Sequence, residues 1–91
     1  MPIDAFEQKM TELRAIFHAR LPVLIADLER LIAEGPAGNA SIRALAHKIA
    51  GQGGTFGAPS ISRAAQEVET AATADLAAMI AELKRVSEGR S

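Results

Sequence analysis

The chain has 91 residues, 48% of them hydrophobic and 3% aromatic, and 10 basic against 11 acidic side chains give a net charge of −1. This length suits a single domain, residues 1–91, and no basic stripe with interleaved aromatics points to nucleic acid. No apolar run is long enough to span a bilayer, the opening Met-Pro-Ile-Asp is not a signal peptide, and cysteine is absent, which together fit a cytoplasmic protein.

Alanine, leucine and charged residues at helical spacing, with few β-branched or aromatic ones, predict an all-α fold. Asp4 with Glu7 three residues on resembles a capping box, and Phe6, Met10, Leu13 and Phe17 mark a first amphipathic helix. Pro22 demands a break or kink near Arg20, or a new helix with the proline in its first turn. Leu21, Leu24, Ile25, Leu28, Leu31 and Ile32 form the cleanest apolar stripe, which Gly35-Pro36-Ala37-Gly38 stops. Asn39 is positioned to cap a third helix running to about Phe56. A fourth starts at Ala58-Pro59 and carries Ile61, Ala65, Val68 and Ala72 inward. Thr73 is positioned to cap a fifth, with Leu76, Ile80 and Leu83 inward, fraying over residues 87–91. The expected architecture is an antiparallel up-and-down four-helix bundle with a short additional N-terminal helix.

The third helix holds the feature of most chemical interest. With Ile42, Leu45, Ile49, Gly53 and Phe56 facing inward, His47 lies roughly 160° from the centre of the stripe. Ala44, Ala50, Gly51 and Gly54 are its expected neighbours on the outer face. Each glycine inside a helix costs about 1 kcal/mol relative to alanine, so Gly51, Gly53 and Gly54 together give up roughly 3 kcal/mol. That loss makes sense if another macromolecule brings its backbone close to the imidazole. The bland alternative is an ordinary surface histidine, with Gly-x-Gly-Gly forming a loop that ends the helix near Ala50. Phe56 continues the inward register, and Gly57-Ala58-Pro59 already supplies a stop, so the longer helix is the better reading.

His18, beside Phe17 and close to Pro22, reads as a helix-end residue. A metal site lacks ligands, since there is no cysteine, no His-x-x-x-His and no Glu-x-x-His. A serine-hydrolase triad lacks its nucleophile turn and oxyanion hole. Gly51-Gln52-Gly53-Gly54 lacks the strand and the Gly-Lys-Ser/Thr ending of an ATP-binding loop, so no autonomous kinase activity is expected. What remains is one accessible nucleophilic imidazole without the rest of an active site.

Residues 46–58, Ala-His-Lys-Ile-Ala-Gly-Gln-Gly-Gly-Thr-Phe-Gly-Ala, resemble the signature of the histidine-containing phosphotransfer (HPt) domains of bacterial multistep phosphorelays. Ala65 and the Val68-Glu69 pair resemble the family's alanine-rich helix ending in an aliphatic–Glu pair, and the apolar stripe over residues 21–32 matches its preceding helix. The resemblance implies that His47 reversibly accepts a phosphoryl group from a receiver-domain phospho-aspartate and passes it to another receiver. It implies no cofactor of its own, Mg²⁺ being brought by the receiver. Its partners would be receivers of response regulators or of a hybrid histidine kinase, met by a monomer. Arg43, Lys48, Gly51, Gln52 and Gly54 are then the candidates for supporting phosphate and receiver. One departure stands out, because the family often has lysine three residues after the histidine and this chain has Ala50. Arg43, within about 20° of Ala50 on the wheel, and Lys48 are the two candidate substitutes. Two other readings remain open, a helical domain that binds receivers without being phosphorylated and an HPt module of a hybrid kinase. The initial Met and short polar tail favour a free-standing protein.

Overall fold

The computed structural model describes residues 4–89. Its four α-helices are α1 (Ala5–Ala33), α2 (Asn39–Thr55), α3 (Pro59–Thr70) and α4 (Leu76–Glu88), and no strand occurs among the described residues. Short 3₁₀ turns at Pro36–Gly38 and Thr73–Asp75 lead into α2 and α4. Each helix packs on its sequence neighbours and α4 closes on α1.

The separate N-terminal helix expected from Pro22 does not exist, because α1 runs unbroken through 29 residues. Phe17, Leu21, Ile25 and Leu28 form one buried stripe on both sides of the proline. Packing of that continuous face outweighs the local penalty of a mid-helix proline, about 3 kcal/mol. Asp4 caps the helix as expected, its carboxylate accepting from the Glu7 N–H at 2.8 Å. At about 1.5 Å per residue α1 is far longer than any partner, so its first turns overhang the bundle. Phe6 is accordingly 73% exposed.

The other predicted caps shift by a few residues. Asn39 is already helical and makes no side-chain cap, since the Pro36–Gly38 turn feeds straight into α2 and the Asn39 N–H bonds to the Pro36 carbonyl. Gly38 is pressed against α1, where a Cβ would stand 2.5 Å from the Leu31 oxygen. Thr73 opens the second 3₁₀ turn rather than capping α4. Pro59 starts α3 as expected, but the helix ends at Thr70 because Ala71 turns extended, and Ala72 is exposed rather than inward. Ser87 and Glu88 are helical, and the expected fraying at residues 90–91 falls outside the described residues. No helix among the described residues is long and apolar enough to cross a membrane.

Candidate functional site

α2 continues through its glycines, and the Phe56 N–H closes its last turn on the Gln52 carbonyl at 2.9 Å. The Phe56 ring packs 5.7 Å from that of Phe17, and the Arg14 Nε donates to the Phe56 carbonyl at 2.8 Å. The C-terminal end of α2 is thereby fastened to α1, and the glycine segment is no loop.

The buried arc of α2 is Ile42, Ala46, Ile49, Ala50 and Gly53. It is rotated toward α3 relative to the stripe expected from the large aliphatics, leaving Leu45 and Phe56 only partly buried. Small side chains cause the rotation, because Ala46, Ala50 and Gly53 let α3 come close. A Cβ at Gly53 would stand 3.1 Å from the backbone nitrogen of Ser62, and the Ser62 hydroxyl donates to the Ala50 carbonyl at 2.8 Å. Two expectations change as a result. Gly53 serves the α2–α3 seam, and Ala50, only 6% exposed, belongs to the core instead of the open face.

The rotation brings His47 to roughly 115° from the centre of the buried arc, leaning toward α3. Its side chain remains 76% exposed, and its Nδ1 stands 2.8 Å from the Glu69 Oε2 of α3. Arg43, one turn earlier on α2, donates from Nη1 to the Glu69 backbone carbonyl at 2.8 Å. His47, Ala50 and Gly51 of α2 and Gln66, Glu69 and Thr70 of α3 line a shallow depression of about 370 Å³.

Of the sequence candidates, His47 and Gly51 line this depression, while Arg43, Lys48, Gln52 and Gly54 do not. Gly51 is exposed, and a Cβ there would meet nothing within 4 Å. Gly54 is exposed as well, with only the Ser62 hydroxyl nearby at 3.9 Å. Lys48 is exposed about 100° round the helix from His47, and Gln52 is half-buried about 140° round, both on the side away from α3. Glu69, Gln66 and Thr70 were missed as site residues. Their spacing of three and four marks one face of α3, but nothing in the linear sequence pairs that face with His47.

His18 lies in the middle of α1, not at a helix end, with its ring 5.4 Å from that of Phe17. Its Nδ1 is buried without a hydrogen-bond partner. The two larger clefts, about 590 and 470 Å³, both abut His18 and lie away from His47. Neither is lined by His47 or by the helix faces beside it. Among the described residues, no three His, Asp or Glu side chains gather where they could hold a metal ion.

Chemically, a carboxylate at Nδ1 favours the neutral tautomer with its proton on that nitrogen, leaving the Nε2 lone pair exposed. The family model described as Hpt domain matches residues 12–89, which include all of α2, α3 and α4. No curated protein and no solved structure matches the chain.

Proposed function

Because the chain belongs to the Hpt domain family, whose members carry out histidine phosphotransfer with receiver domains in phosphorelays, we propose that His47 is its phospho-acceptor. The single observation carrying this reading is an imidazole 76% exposed on α2 with Nδ1 already engaged by Glu69 at 2.8 Å. Only Nε2 is then free to attack.

In the proposed step a receiver carrying a phospho-aspartate docks over α2 and α3, and the Nε2 lone pair forms a bond to phosphorus. The bond between phosphorus and the aspartyl oxygen breaks, and its electron pair leaves with the receiver's carboxylate. Positive charge develops on the ring as the N–P bond forms, and the Glu69 carboxylate at Nδ1 offsets it. Such transfer depends mainly on positioning and charge stabilisation, so this side needs little beyond a held nucleophile and room for the partner. The receiver contributes its own metal ion and catalytic groups. Gly51 provides the room, because it has no side chain of its own and a Cβ there would meet nothing within 4 Å. The step runs in either direction, so phosphate is accepted from one receiver and delivered to another.

The test is incubation with a panel of phosphorylated receivers. The wild-type protein is expected to take up acid-labile, alkali-stable phosphate, and His47→Gln to take up none. Full labelling of that variant, or label on His18, overturns the reading.

A further inference from the structure

We infer that Arg43 is a positioning residue, which holds the last turn of α3 so that the Glu69 carboxylate stays against His47. The inference rests on the phosphotransfer role of His47 only for its kinetic consequence.

The final carbonyls of any α-helix lack intrahelical donors and carry the negative end of the helix dipole. α3 ends abruptly at Thr70, and its own last turn contains no basic residue. The cation that serves this end comes instead from the neighbouring helix, since Arg43 of α2 donates to the Glu69 carbonyl at 2.8 Å. Its guanidinium reaches the main chain of the same residue whose side chain stands 2.8 Å from His47 Nδ1. Arg43 and His47 are four positions apart on α2, so one helix grips Glu69 twice, by backbone and by carboxylate. The Arg43 contact is half-buried, whereas the His47 side chain is largely exposed. Arg43 is therefore the firmer of the two attachments, and His47 depends on it.

This assignment differs from a direct role for Arg43 as a phosphate-binding cation. With its Nη1 committed to a carbonyl across the seam, it acts on the imidazole through Glu69. Losing it frees the terminal turn of α3 to fray, Glu69 leaves Nδ1, and the ring no longer keeps its proton there.

Nitrogen-15 NMR of the neutral His47 ring reads the tautomer without any partner. The wild-type ring is expected to carry its proton on Nδ1. Arg43→Ala should shift the population toward the Nε2–H form, and Arg43→Lys, which retains a donor, should restore much of the wild-type pattern. Glu69→Ala, which keeps the backbone carbonyl and thus the Arg43 bond, should reproduce the Arg43→Ala spectrum while preserving the fold. A wild-type tautomer in folded Arg43→Ala, or in Glu69→Ala, overturns the inference. Transfer kinetics supply a second reading by double-mutant cycle. Each single change should slow transfer by roughly tenfold, and the double variant by no more than either. Additive losses would mean that Arg43 acts on the phosphoryl group itself and overturn the positioning role. If the wild-type protein accepts no phosphate, the proposed function fails, and the tautomer measurement still decides what Arg43 does.

Discussion

His47 on α2 and Glu69 on α3, 22 positions apart in sequence, meet with Nδ1 and Oε2 separated by 2.8 Å. The nucleophile and the group that orients it thus come from different helices, and neither is complete without the seam between them.

Glu69→Gln keeps an acceptor of the same shape while removing the negative charge. Charge-assisted contacts exceed neutral ones by about 1 kcal/mol, so transfer should slow several-fold to roughly tenfold. Receiver affinity should change little. Single-turnover transfer measured beside receiver binding checks this, and an unchanged rate would show that Glu69 contributes nothing to the charge developing on the ring.

The glycines of α2 should separate into two kinds. Gly51→Ala adds a methyl into open space and should stabilise the protein by up to about 1 kcal/mol. Gly53→Ala sets its Cβ against the Ser62 backbone at 3.1–3.2 Å, where main chain must move. Overpacking costs typically 1–3 kcal/mol, so it should exceed the propensity gain and leave a net loss of about 1 kcal/mol. Urea denaturation of the two variants side by side decides the matter. Gly51→Gln should fold normally yet slow transfer by obstructing the receiver.

Pro22→Ala should raise stability. Removing a proline from a helix interior recovers up to about 3 kcal/mol, reduced by the roughly 0.4–1 kcal/mol that proline contributes by restricting the unfolded chain. A higher midpoint in thermal unfolding is expected, and a lower one would mean that the proline shapes α1 in a way its neighbours require.

Lys48 carries an exposed charge on the flank of α2 away from the depression. Lys48→Ala should therefore weaken receiver association at low salt, with the difference fading as ionic strength rises. Transfer within the assembled complex should keep its wild-type rate.

Periodicity made the helices legible wherever a punctuating residue stood at the boundary. Gly35, Pro36 and Pro59 stop or start helices where expected, and Gly35 takes a φ of +85° that favours glycine. Pro22 points to a break only on local propensity, and the buried stripe from Phe17 to Leu28 outweighs that propensity. Ala50 falls on the open face of a wheel drawn through Ile42, Leu45, Ile49, Gly53 and Phe56, which gives no weight to alanines, although small residues mark where two helices approach most closely. His47 and Gly51 were readable, since exposure follows from register within one helix. Glu69 was visible as part of an aliphatic–Glu pair, but its contact with His47 depends on how far α3 turns about α2. Arg43 reads from the sequence as one of two candidate phosphate-supporting cations, with Lys48, and its bond to the Glu69 carbonyl is one that no sequence pattern reveals.

The close approach of α2 and α3 at Gly53 and Ser62 has a consequence for observation as well as for packing. Since His47 and Glu69 ride on opposite sides of that contact, the imidazole acts as a gauge of interhelix spacing. Any substitution, hydrostatic pressure or bound partner that wedges the two helices apart, even far from the depression, lengthens the gap at Nδ1. A single histidine resonance then reports a displacement that a global unfolding curve would average away.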